Sequence, residues 1–127
     1  MALPYSSASS GSNREKEIRD TLRAAGATAV GFMIDDDLDQ IVAQFRMHGR
    51  EVTIPVSVGN YAQAWLMENP LGPRARTKLS DHEAKARKQA ELAAWAILAD
   101  WIKATSAMIT SGFLDVDTAF LPHIRLD

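Results

Sequence analysis

The chain of 127 residues contains no cysteine. Disulfide scaffolds, thiol nucleophiles, Cys-ligated zinc and iron–sulfur clusters are therefore excluded, and a reducing compartment is expected. No uninterrupted apolar run approaches the ~18 residues of a membrane span, and the start of the chain lacks the basic stretch and apolar core of a signal peptide. These readings predict a soluble, cytoplasmic protein. Charge of one sign is missing too. With 14 Lys+Arg against 16 Asp+Glu the net charge is −2, so bulk charge does not draw the chain to nucleic acid and any such surface must be local. There is no Gly-x-Ser-x-Gly elbow and no Gly-rich phosphate loop, which removes two common catalytic frameworks. His48, His82 and His123 stand far apart with no cysteine or paired glutamate at a metal-ligand interval. No catalytic residue, metal ligand or cofactor is assigned, and the expectation is a protein that is not an enzyme.

Hydrophobic residues make up 46% of the chain, enough for one domain with a core of its own. Residues 1–13 are rich in Ser and Gly and read as a disordered tail, so removing residues 1–12 is expected to leave stability almost unchanged. Residues 14–127 read as a single domain. Ser12 with Glu15 has the form of a capping box, and Ile18, Leu22 and Ala25 recur at helical spacing up to Gly26, which predicts a helix over about 14–25. The period then falls to two. Val30, Phe32 and Ile34 form a first strand before the acidic turn Asp35-Asp36-Asp37. Ile41, Ala43, Phe45 and Met47 alternate with Val42, Gln44, Arg46 and His48, and beyond Gly49 Val52, Ile54, Val56 and Val58 alternate with Glu51, Thr53, Pro55 and Ser57. Three strands with one apolar face predict an antiparallel meander covered on that face alone, with Pro55 on an edge strand.

Tyr61–Glu68 predicts a short helix ended by Asn69-Pro70-Leu71-Gly72-Pro73. Ser80 with Glu83 has the form of a second capping box, opening a long helix over 81 to about 110. That helix carries two apolar stripes, and the second, through Leu98, Trp101 and Met108, needs either a second copy of the chain or the C-terminal segment to cover it. Asp115 is positioned to cap a last short helix ending before Pro122, and residues 123–126 suit an extended strand. The fold class expected is α+β, of order αβββαα, with a three-stranded antiparallel meander and the helices packed on one face.

Residues 74–88 hold Arg74, Arg76, Lys78, Lys85, Arg87 and Lys88 against Asp81 and Glu83, a net of +4. Arg46, His48 and Arg50 form a smaller basic group on the hairpin. If the two groups converge, Arg46, Arg50, Arg74, Arg76, Lys78, Lys85 and Lys88 outline a groove for nucleic-acid phosphates. The plain alternative is a solvated loop and helix face. Asp35, Asp36, Asp37 and Asp39 lack the spacing of a calcium loop and read as a solvated turn. Trp95 and Trp101 fall on apolar stripes and read as core, whereas Trp65 is the aromatic expected at a binding surface.

The order of helix, three-strand meander and long helix is similar to the double-stranded RNA-binding domain, with Ser80-Asp81-His82-Glu83-Ala84-Lys85 resembling the start of that family's second helix, which grips phosphates through lysines. A second resemblance spans about residues 14–124. Phe45-Arg46-Met47-His48-Gly49-Arg50, the Trp-containing helix ending Ile102-Lys103-Ala104, Gly112 and Phe120-Leu121-Pro122-His123-Ile124 resemble a group of small, functionally uncharacterised accessory proteins encoded by bacteriophages and prophages. That resemblance implies nucleic-acid handling or interference with a host defence system. Two functions are thus expected to compete: binding of nucleic acid through the basic residues, or inhibition of a bacterial defence nuclease by binding that host protein. A homodimer is a further expected partner state.

Overall fold

The computed structural model describes residues 3–9 and 12–125. Its elements run α1 (Ser12–Ala24), β1 (Ala27–Asp35), β2 (Gln40–Met47), β3 (Arg50–Ser57), α2 (Val58–Glu68), α3 (Leu79–Thr110) and α4 (Val116–Phe120), followed by a 3-10 turn at Leu121–His123. The sheet is antiparallel in the order β1-β2-β3, so the αβββαα arrangement holds, with α4 added at its end.

The period of two on β2 and β3 translates into one buried face, with Val42 the exception, buried on the other. Ile41, Ala43, Phe45 and Met47 are buried, and register sets Ala43 beside Ile54 and Phe45 beside Val52. Gln44, Arg46, Glu51 and Thr53 stand exposed on the other face. All three long helices lie over the apolar face, with α3 in the middle contacting both α1 and α2. Ala86, Ala90, Ala93, Ala94, Ala96 and Ala99 are buried along α3. Side chains this small let neighbouring helices approach closely, and alanine costs nothing in helix propensity. An 18-residue window of α3 has a mean hydropathy of 1.3 and is by length and composition able to cross a membrane; in this fold the helix packs between its neighbours.

Several boundaries differ from expectation, each for a physical reason. Neither helix begins where its capping box places it. α1 begins at Ser12 itself, and α3 begins at Leu79 with Lys78 as its cap and no side-chain cap hydrogen bond. Val58 continues the strand pattern but starts α2, because Ser57 accepts from the Asn60 N–H at 3.2 Å and the Asp39 carbonyl accepts from Val58 and Gly59. β1 starts three residues early, and its register with β2 slips between Thr28 and Gly31, where Ala29 takes φ of +54°. That is the signature of a bulge, which leaves an extra residue unpaired. The C-terminal strand reduces to a single bridge between Val52 and Ile124, with the Arg125 N–H donating to the Glu51 carbonyl at 2.9 Å, because Pro122 sits in a 3-10 turn that consumes the preceding residues. Residue 126 lies outside the described residues. Pro55 pairs with Val42 on β3, at the sheet edge as its missing N–H requires.

Residues 3–9, where the composition predicts a disordered tail, form turns against the helices. The Tyr5 hydroxyl donates to the Asp100 carboxylate, the Tyr61 hydroxyl to the Pro4 carbonyl at 2.6 Å, and the Gln89 amide to the Ala8 carbonyl at 3.1 Å. Two tyrosines and a glutamine supply what a Ser/Gly composition does not reveal. Residues 1, 2, 10 and 11 lie outside the described residues.

Candidate nucleic-acid interface

Pro70 and Pro73 keep the connection from α2 to α3 out of helix, and the only turn bond within it is from the Ala75 N–H to the Gly72 carbonyl at 3.1 Å. Arg74, Arg76 and Lys78 project from this loop, and Lys85 and Lys88 from the first turns of α3; all five are exposed. Among the described residues none of the five has a carboxylate within 4.0 Å. Most other cations are committed. Arg14 pairs with Glu17, Lys16 with Asp20 and Arg19 with Glu15 along α1.

Arg87 leaves the basic group for the acidic turn. Its guanidinium lies 2.5 Å from Asp39, 3.8 Å from Asp36 and 3.7 Å from Glu91. Asp39 is held for this contact by its left-handed backbone, φ +53°, and by Gly59, where a Cβ would fall 2.7 Å from the Asp39 carboxylate. The Asp35 carboxylate accepts from the N–H groups of Asp37 and Leu38, both at 3.0 Å. The acidic turn is thus closed by local bonds and by Arg87. Among the described residues no three acidic or histidine side chains gather as a metal site.

Arg46 and Arg50 do not join the loop cations. Arg46 lies 3.3 Å from Glu51 and Arg50 2.8 Å from Asp117 of α4. The hairpin that carries them meets the C-terminal end of α3, where His48, Ile109, Phe113 and Val116 line one 530 Å³ depression. The Arg87–Asp39 contact fixes the other end of α3 to the opposite end of the sheet. From 87 to 109 a helix rises roughly 33 Å, so the expected single groove is two separate groups. Of these two groups, the one at 74–88 is the one with cations that lack a carboxylate partner among the described residues. No spacing in the sequence encodes this, because it follows from the direction in which α3 crosses the sheet.

The aromatic and apolar expectations also divide. Trp65 is buried, its ring centroid 5.2 Å from that of His82, whose Nε2 is 2.6 Å from the Asn69 carbonyl, so it offers no stacking surface. Trp95 is core, edge-on to Phe32 at 5.3 Å. Leu98 is 4% exposed and inside the core, whereas Trp101 packs edge-on to Phe120 and His123 at 5.8 and 6.0 Å. The second stripe therefore meets the C-terminal segment at Trp101, and Met108 stays 40% exposed.

Among the described residues four groups have shifted titration. Tyr5 is raised above 10.0, chiefly because its hydroxyl donates to Asp100, and Tyr61 is raised by burial. Asp20 is lowered by the hydrogen bond from Lys16, and Asp115 by the Thr118 N–H at the start of α4. None lies in the basic group. Compared with protein families, curated proteins and solved structures, the chain matches none of them.

Proposed function

We propose that the chain is a non-enzymatic accessory protein that binds nucleic acid through Arg74, Arg76, Lys78, Lys85 and Lys88, acting in the cytoplasm of a bacterial host as the phage resemblance implies. One observation carries the reading: these five exposed cations have no carboxylate partner among the described residues, while neighbouring Arg87 does. Phosphates are the partners that such cations lack. Five phosphate contacts give a log–log dependence of affinity on salt with a slope of about −3.5 to −4.5. Arg74→Glu with Arg76→Glu weakens binding to every sequence alike, since phosphate contacts position without specifying. A titration of labelled single- and double-stranded oligonucleotides from ~50 mM salt upwards tests this. Absence of binding at the lowest salt, or affinity indifferent to the double change, refutes it.

A second reading is inhibition of a defence nuclease by direct protein contact. It is supported by the Asp36 side chain, 86% exposed, beside Leu38 at 67%, an acidic and apolar turn suited to a basic partner surface. A pull-down from the bacterial host with and without nuclease treatment separates the two readings.

A further inference from the structure

The two edges of the sheet are unequal. β3 is crossed by the C-terminal bridge at Val52 and Ile124, whereas among the described residues β1 pairs only with β2. Beyond its bulge, β1 runs regularly from Gly31 to Asp35. The Gly31-Phe32-Met33-Ile34 stretch has no charge and no proline, the usual devices that keep an edge from pairing. Met33 is 49% exposed on one face of this edge and Ile34 65% exposed on the other.

We propose that residues 31–35 of β1 form the seam of a homodimer, pairing antiparallel with the same residues of a second copy. The self-complementary register selects this occupant, and charge selects the direction. A parallel in-register pair stacks the Asp35-Asp36-Asp37 turns on each other. The antiparallel pair about Met33 sets the two Asp36 residues about 20 Å apart at ~3.3 Å per residue, beyond a Debye length of about 8 Å. In that register Met33 meets its own copy, Ile34 lies beside the other copy's Phe32, and Asp35 lies opposite Gly31, where no atom lies within 4 Å of the absent Cβ. The two-fold axis stands perpendicular to the sheet, so a continuous six-stranded sheet results with both helical layers on one side. The bulge between Thr28 and Gly31 ends the seam. Five residues span only about 17 Å, at the small end of specific interfaces, below ~1,200 Å². The dimer is accordingly weak, with Kd between about 10 μM and 1 mM.

Sedimentation equilibrium of the full chain tests this without nucleic acid, so its outcome is separate from that of the proposed function. The mass is expected to rise from 13.9 kDa towards twice that value as concentration increases. Met33→Lys and Ile34→Lys, each at an exposed position, are expected to hold it at 13.9 kDa with unchanged circular dichroism, and Met108→Lys to leave dimerisation intact. In the wild type, amide exchange over residues 31–35 slows with concentration. A monomer at ~1 mM, a dimer indifferent to both lysines or sensitive to Met108→Lys, or exchange over 31–35 independent of concentration overturns the proposal.

Discussion

Truncating Phe120 to alanine should unfold the C-terminal end of the molecule and weaken the whole domain. α4 has five residues, far below the length at which a helix holds itself in water, so its position depends on what it buries. Phe120 is 0% exposed, edge-on to Phe45 of β2 at 5.3 Å and to Trp101 of α3 at 5.8 Å, and so ties α4 to both layers at once. Loss of a buried phenylalanine costs about 3–5 kcal/mol, the transfer term plus the cavity left behind. The unfolding entropy of a chain this size is about 270 cal/mol/K at ~2.1 cal/mol/K per residue, so each kcal/mol moves the midpoint by about 4 °C. Phe120→Ala is thus expected to lower Tm by about 15 °C in a thermal scan by circular dichroism. Leu121→Ala is the internal control, since Leu121 is 64% exposed; it should cost no more than about 0.5 kcal/mol, or 2 °C. A drop below about 4 °C for Phe120→Ala, or an equal drop for Leu121→Ala, refutes the assignment of Phe120 as the tie.

Asp115, held below its usual 3.8 by the Thr118 N–H, contributes stability that is present above that pH and lost as pH falls through the lowered folded value; Asp115→Asn should flatten this part of an acid unfolding profile. Tyr5, raised above 10.0 by donating to Asp100, has the opposite sign: its contact is intact below that pH and lost as pH rises through the folded value. An ultraviolet absorbance titration should therefore show a tyrosine that forms its phenolate late, and Tyr5→Phe should remove that late phase.

Legibility in the sequence followed the range of the interactions. The alternation Ile41, Ala43, Phe45, Met47 was readable because a sheet with one buried face imposes a period of two on its middle strand, which here only Val42 breaks by being buried on the other face. Asp115 was readable as a cap because its partner, Thr118, is three residues away. Ser80 with Glu83 had the same local form and failed. The backbone was already helical from Leu79, so Ser80 lies inside the first turn and not at its cap, and the cap position falls to Lys78, which has no side-chain cap hydrogen bond. Trp65 was misplaced because its surroundings lack a clear period, although helix α2 buries it against His82, 17 positions on. The contact between Arg87 and Asp39 left no local trace. It joins a helix to a turn 48 residues earlier, and it sets which end of α3 sits over which end of the sheet. Separation of the two basic groups, and with it the reduced extent of the candidate site, follows from that long-range choice.

The same contact brings the acidic turn to the basic end of α3, and this makes the two functional readings respond with opposite sign to one substitution. Asp36 reaches Arg87 only at 3.8 Å and its side chain is 86% exposed, while Asp39 holds the guanidinium closely. Asp36→Asn should therefore leave the fold and the position of Arg87 unchanged and remove one negative charge near Lys85 and Lys88. A unit charge about 10 Å from a phosphate in water contributes about 0.4 kcal/mol, so nucleic-acid affinity should rise about two-fold in low salt, and the gain should fade as the Debye length shrinks towards 8 Å. If the turn instead docks on a basic protein partner, the same substitution removes an attractive charge and weakens capture of that partner. An oligonucleotide titration at two salt concentrations decides the matter. A gain that disappears with salt supports phosphate binding, whereas unchanged or weaker nucleic-acid binding refutes the placement of the phosphate beside this end of α3.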